Sequence, residues 1–308
     1  MDIKELKLDK TEALEVIRVK EGEVDPFEDQ LAVEYPVTIF FNDQELVTLL
    51  CTPTYLEELA IGFLNSEGMI RSYDDIDSIR IDYEKGLIYV KTKKKQVLSE
   101  KLFAKRTITS GCGKGTIFYN VLDSMRTHKI ERPLDISSAQ IVQLMLDLQQ
   151  NSMMFKETGG NHASSLCDPS GMVVYHEDIG RHNAVDKIVG HCVKNNIDIE
   201  NKVLVTSGRV SSEILLKVAK LDIPMIISKS APTTLSARIA RELGLTLVGF
   251  VRGKRFNIYA NGWRITDVDV ADHPSMHYES PEVLEESEAS KALEVPEASN
   301  GTRVESND

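Results

Sequence analysis

The feature that most restricts the fold of this chain is the alternation of short apolar runs with helix-period segments between residues 162 and 260. Strands are expected at 162–167, 172–176, 202–206, 224–228, 245–251 and 256–260, and helices at 181–194, 210–221 and 233–243. Strands that alternate with helices need crossover connections, and crossovers lay helices on the faces of a sheet. The order therefore implies a layered α/β sheet. Asp168-Pro-Ser-Gly171 and Arg252-Gly253-Lys254 are turn sequences that join neighbouring strands.

Upstream, residues 32–51 form a predicted hairpin about Asn42-Asp43, and Thr54 is placed to cap a helix that continues through Leu59, Ile61, Phe63 and Leu64 toward Gly68. Two short strands near 77–83 and 87–92 flank the turn Glu84-Lys85-Gly86. Ser137 should cap a further helix to about Asn151, with Ile141, Leu144, Met145 and Leu148 along one face. The domain organisation expected is an N-terminal extension (1–30), a small α/β unit (31–110), a cysteine loop leading into the α/β domain (111–266), and an acidic tail (267–308).

Charge matters here only by position. Of the net −12, residues 267–308 carry −10, so the rest of the chain is close to neutral and offers no general attraction to nucleic acid. The tail is rich in Glu, Ser, Ala and Pro and lacks an apolar pattern, so disorder is expected there. Met1 to Lys10 lacks the apolar stretch of a signal peptide, and no membrane-spanning run occurs. Four cysteines without a close pair suit a reducing compartment, and the cytoplasm is the expected location.

The sharpest chemical feature is Cys112, set between glycines at 111, 113 and 115. Glycine frees the backbone for close approach, and Lys114, Lys105 and Arg106 favour the nucleophilic thiolate. Alone, such a loop is more often an ordinary connection. It is not a phosphate-binding loop, because Ile108 stands where the first glycine belongs and Gly115 follows Lys114. Cys51, Cys167 and Cys192 lie in apolar contexts that suit inert core thiols. No Cys-x-x-Cys spacing supports zinc.

Three further clusters fall at predicted strand or helix ends, where α/β sheets place ligands. Thr158-Gly-Gly-Asn-His162-Ala-Ser-Ser165 pairs with Glu177-Asp178-Ile-Gly180-Arg181-His182-Asn183. Asp178 equally suits a helix cap and His182 a solvated surface, and the sequence leaves both open. Thr206-Ser207-Gly208-Arg209-Val-Ser211 and Ser228-Lys229-Ser230 each lead a strand into a helix N-terminus that favours anions. Phe250-Val251-Arg252-Gly253-Lys254-Arg255 gathers three cations and an aromatic at a hairpin tip. That set suits phosphate contacts and base stacking, or a solvated turn.

Taken in order, Thr109-Ser-Gly-Cys-Gly-Lys-Gly, Thr158-Gly-Gly-Asn-His-Ala, Glu177-Asp-Ile-Gly-Arg-His-Asn-Ala-Val-Asp-Lys187 and Thr206-Ser-Gly-Arg-Val-Ser211 resemble the formate dehydrogenase accessory sulfurtransferase (FdhD) family. Cys51-Thr-Pro and Ala60 through Gly68 resemble its N-terminal region, and the likeness covers about residues 30–266. It implies a sulfur carrier in which Cys112 takes sulfur as a persulfide from a cysteine desulfurase. The sulfur then goes to the molybdenum bis-guanine-dinucleotide cofactor before that cofactor enters formate dehydrogenase. Residues Phe250 to Arg255 correspond to the family's cofactor-binding stretch. The alternative is a chaperone that binds this cofactor without moving sulfur.

The resemblance also implies a cytidine-deaminase-like fold, but not the deaminase chemistry. A zinc deaminase needs His-x-Glu and a cysteine pair, and Ser164 stands where the glutamate would be. Some family members carry Cys-Gly-x-Cys in the loop, whereas Gly115 replaces the second cysteine here, so single-thiol chemistry is expected. A two-fold homodimer is the default oligomer.

Overall fold

Val203-Leu-Val-Thr206 and Met225-Ile-Ile-Ser228 are apolar without alternation, which suits strands covered on both faces. They lie at the centre of a six-stranded sheet in the computed structural model, which describes residues 8–94 and 129–269. The residues around Cys112, where the carrier thiol is expected, and those from residue 270 onward lie outside the described residues.

In chain order the large sheet comprises β7 (His162–Asp168), β8 (Gly171–Asp178), β9 (Val203–Thr206), β10 (Met225–Ser228), β11 (Thr246–Arg252) and β12 (Arg255–Ala260). Its spatial order is β12-β11-β10-β9-β7-β8. Strands β9, β10 and β11 run parallel, while β7 is antiparallel to both β9 and β8, and β12 to β11. Three helices link these strands: α4 (Arg181–Asn195), α5 (Ser212–Lys220) and α6 (Thr234–Leu243).

The two faces of the sheet can be assigned by residue parity, because successive strand side chains point to opposite sides. Leu166, Leu204, Ile226 and Leu247 pack with Val185, Ile188, Ile214, Leu215 and Ile239 of α4, α5 and α6. Cys167, Val203, Val205, Met225, Ile227 and Val248 face the other way, onto Ile141, Leu144, Met145 and Leu148 of α2 (Ser138–Asn151). Ser137 caps α2 as expected, and its backbone N–H donates to the Gln140 side chain at 2.8 Å to complete a capping box. A short helix, α3 (Met153–Thr158), follows and was not expected.

The N-terminal half holds β3 (Tyr35–Phe41), β4 (Gln44–Cys51), β5 (Ile76–Asp82) and β6 (Leu87–Thr92), in the order β4-β3-β6-β5. Helix α1 (Leu56–Ser66) covers this sheet and shares its core, including Ile39, Phe41, Leu59, Phe63 and Ile88. Its other side crosses α4. A Cβ on Gly62 would stand 1.8 Å from the Asp186 carbonyl oxygen, and one on Gly190 would stand 1.8 Å from the Glu58 carbonyl oxygen. Only glycine permits two backbones so close.

Thr54 does not cap α1. Tyr55 occupies the cap with φ 53° and no side-chain hydrogen bond, while the Thr54 N–H donates to the Thr52 carbonyl at 2.7 Å. Tertiary contacts of the Thr52–Thr54 segment override the local signal. Residues within the expected N-terminal extension form a ribbon of β1 (Thr11–Lys20) and β2 (Glu23–Ala32), turned at Glu21 and Gly22, both with positive φ. All described residues fall within one compact unit spanning Met1–Ala271.

Candidate functional site

The sheet register brings the sequence clusters to one edge. His162 opens β7 opposite Asp178 at the end of β8, and Ser164 pairs with Thr206 at the end of β9. Thr206 is level with Ser228 at the end of β10, and the β11–β12 tip lies beyond the neighbouring strand end. The edge thus carries the C-terminal ends of all three parallel strands, where open α/β sheets bind ligands.

Hydrogen bonds join the successive turns there. Ser228 Oγ donates to the Gly208 carbonyl at 2.7 Å, Ser230 Oγ to the Ser207 carbonyl at 2.9 Å, and the Phe250 N–H to the Ser230 carbonyl at 3.1 Å. Ser211 and Thr233 cap α5 and α6 through their side chains, so these helices begin one or two residues later than expected.

At the far end of this row, Arg252, Gly253, Lys254 and Arg255 are exposed, while Val251 is buried and anchors the strand. Phe250 is 38% exposed, has φ 56°, and stands at a register shift between Gly249 and Arg252. The irregularity turns its ring outward. The Arg252 guanidinium lies 5.1 Å from the ring centroid, a cation–π contact. The tip therefore presents cations and an aromatic face together.

Behind the edge lies a buried polar node. Lys187 Nζ is 2.6 Å from Asp178 Oδ2, and both side chains are fully buried. Lys187 also donates to the Thr52 carbonyl at 3.1 Å, and the Thr52 N–H donates to Asp178 Oδ2 at 3.1 Å. Asp178 Oδ1 accepts from the Gly180 N–H and from Asn183 Nδ2, each at 2.9 Å. Asn161 Nδ2 donates to Thr52 Oγ1 at 3.2 Å. Asp178 supports the start of α4 through Gly180 and Asn183, while Gly180 itself is the N-cap.

Histidines flank this node. His162 Nδ1 lies 3.5 Å from Ser207 Oγ, and burial, with the positive Arg181 adding to it, lowers its pKa. His182 Nε2 sits 3.2 Å from Glu213 Oε2 and 3.4 Å from Ser211 Oγ. The hydrogen bond from His182 lowers the Glu213 pKa. The part of Thr52 in this node escapes sequence reasoning, because Asp178 and Lys187 lie over a hundred residues from it and no spacing signals the contact.

The charges at this edge do not balance. Arg181, Arg209, Lys229, Arg252, Lys254 and Arg255 gather at or near the strand ends. Of the acids, Asp178 is paired with Lys187, Glu213 with His182, and Glu177 accepts the Met154 and Phe155 N–H groups of α3. The result is a cationic edge on an acidic chain, suited to an anionic ligand.

The remaining thiols are unreactive by environment. Cys51, Cys167 and Cys192 are free and buried, and desolvation pushes them up to about 12, about 11 and about 12. Among the described residues no group of three or more His, Cys, Asp or Glu could hold a metal ion, and no helix is long and apolar enough to cross a membrane.

Comparison with known proteins agrees with this arrangement. Residues 32–266 match the model of the FdhD/NarQ family. The sulfur carrier protein FdhD of Bacillus subtilis is 44% identical over 257 residues, which cover 83% of this chain and 98% of that protein. The protein of the same name from Bacillus pumilus is 46% identical, covering 80% of this chain and 95% of that one. A crystal structure from Desulfotalea psychrophila, described as a candidate formate dehydrogenase accessory protein, superimposes with a TM-score of 0.67 at 27% identity, over 83% of this chain and all of that one. With the family model matching most of its length and the curated relatives this similar, this chain belongs to the FdhD/NarQ family.

Proposed function

We propose that this protein is a cytoplasmic sulfur carrier required for formate dehydrogenase activity, with Cys112 as the carrier thiol. The observation that carries the reading is the state of the other cysteines. Three of the four are buried with thiols pushed far above neutral pH, which leaves Cys112, between glycines and near Lys114, as the residue suited to form a thiolate. The names of the relatives support sulfur transfer as the activity.

In this reading the Cys112 thiolate attacks the terminal sulfur of a persulfide on a cysteine desulfurase. A new S–S bond forms on Cys112, the donor's S–S bond breaks, and the donor cysteine leaves as its thiolate, so no outside oxidant is needed. The Cys112 S–S bond then breaks as the terminal sulfur passes to the substrate, the molybdenum bis-guanine-dinucleotide cofactor in its reduced form, which supplies the two electrons that bring the sulfur to sulfide while Cys112 leaves as its thiolate. The cofactor then proceeds to formate dehydrogenase. Phe250, Val251, Arg252, Gly253, Lys254 and Arg255 hold that cofactor. The exposed Arg252, Lys254 and Arg255 supply charge for its phosphates, and Phe250 supplies a face for guanine. The helix-covered mixed sheet supports a cytidine-deaminase-like reading of the fold. The protein acts as a two-fold homodimer in this proposal.

Incubation with a cysteine desulfurase and cysteine should load cyanide-labile sulfur on the wild type, and mass spectrometry should find the added sulfur on the Cys112 peptide. Cys112→Ala should load none. Equal loading of that variant would overturn the assignment.

A further inference from the structure

The β1–β2 ribbon takes no part in the sheet-edge site. Its two ten-residue strands pair with each other and with no other described strand. A two-stranded ribbon is marginal in water unless a further strand or a packed face supports it. β2 has such support where it rests on α3. Toward the tip, Ile17, Val19 and Val24 share one face and are 72%, 66% and 63% exposed.

The two edges of the ribbon are not alike. β2 carries Pro26, which has no N–H to offer a further strand. β1 contains neither Pro nor Gly, so its outer edge keeps a full row of donors and acceptors. The charges of β1 are also ordered. Glu12 and Glu15 lie in its first half, Arg18 and Lys20 in its second, and Glu12, Glu15 and Lys20 form no ion pair with described residues. Antiparallel pairing with an identical strand would set each acidic half against a basic half. A two-fold axis between two copies produces that pairing.

We propose that the outer edge of β1 pairs antiparallel with β1 of a second copy, with Val16 on the two-fold axis, so that two ribbons join into one four-stranded sheet. The inference rests on the homodimer reading of the preceding section and assigns its interface. This register sets Glu12 opposite Lys20 of the partner subunit at both ends of the pairing. An axis at Glu15 would oppose two like charges, and one at Ile17 would leave no acid directly facing a base. With Val16 on the axis, the Ile17 side chains of the two copies are diagonal neighbours on one face. The two exposed tip patches then form a single apolar strip.

The test is sedimentation equilibrium of the full chain, with circular dichroism to verify that each variant is folded. The wild type should be a dimer. Ile17→Lys should raise the dimer dissociation constant about tenfold or more, because the change acts twice across the axis. Glu12→Lys and Lys20→Glu should each weaken dimerisation by about threefold or more, since each opposes like charges at both ends. Combining the two exchanges in one chain should restore the dimer, and an equimolar mixture of the two single variants should form mixed dimers. In a Cys112→Ser background, Val16→Cys should link two chains by a disulfide, with oxidised glutathione as the oxidant. Facing Cα atoms in an antiparallel pair lie about 4.5–5.5 Å apart, within disulfide range. Leu14→Cys, which faces Arg18 of the partner subunit, should not cross-link.

A monomeric wild type sinks the homodimer reading and the inference with it. A wild-type dimer that Ile17→Lys and Glu12→Lys leave equally stable overturns the inference alone, and leaves the ribbon to a different protein. Cross-linking of Val16→Cys no better than that of Leu14→Cys also overturns it.

Discussion

Two sets of charges at one end of the large sheet have opposite fates. Asp178 and Lys187 are fully buried and satisfied by each other, Thr52, Gly180 and Asn183. Arg181, between them in sequence, has a buried Nε with no partner, and Arg252, Lys254 and Arg255 stand in solvent. The first set joins the segment after β4 to the large sheet and fixes where α4 begins. The second is held ready at the edge that α4 helps to form. Charges satisfied within the protein build the frame, and charges left without internal partners mark where something else must bind.

The most severe way to break the first set is to remove half of it. Lys187→Met leaves Asp178 ionised and buried with only neutral partners, and should cost about 3–5 kcal/mol in urea unfolding. Adding Asp178→Asn to Lys187→Met should recover part of that loss, because no uncompensated charge then remains. If Lys187→Met unfolds at the wild-type urea midpoint, the node contributes nothing to the frame.

A smaller effect comes from a histidine beside this node. His176 on β8 is 3% exposed, both ring nitrogens lack hydrogen-bond partners, and it stacks edge-on against Tyr55 at 4.3 Å. Burial, reinforced by the Lys187 charge, pushes its pKa down to about 3. The unfolded chain protonates this group near pH 6.5 and the folded one does not, so below pH 6.5 the unfolded state binds the extra proton. Stability should therefore fall as pH drops from about 6.5 toward 3, on the order of 1 kcal/mol per pH unit from this residue. His176→Phe should flatten that part of the urea-midpoint profile, and an unchanged slope would assign the acid sensitivity to other groups.

The frame and the site differ also in how much of each was legible beforehand. The strand and helix order from 162 to 260 could be read because buried parallel strands such as Met225-Ile-Ile and capped helices such as the one after Ser211 carry local signals. The hairpin cations were visible for the same reason. The Asp178–Lys187 node was not, since its meaning depends on Thr52, brought in from the other sheet. That same contact explains why Thr54 fails to cap α1. The β1–β2 ribbon was missed because its side chains are mostly exposed, with Ile17 and Val19 outward, so no buried face imposes a regular pattern. Its Glu21-Gly22 turn was the available signal.

The smallest expected effect on stability is the most informative for the contrast between the two sets. Replacing Arg252, Lys254 and Arg255 together by serine removes three exposed cations that form no ion pair with described carboxylates, so each change should alter unfolding free energy by no more than about 0.5 kcal/mol. Guanosine diphosphate affinity should nevertheless fall about tenfold or more, because each lost charge-assisted hydrogen bond to phosphate counts directly against binding. Higher salt should weaken the wild type toward the variant, as screening acts on the same exposed charges. A variant that keeps wild-type affinity would move the guanine-nucleotide site away from this tip. A variant that instead loses stability would show that the hairpin charges belong with Asp178 and Lys187, as part of the frame.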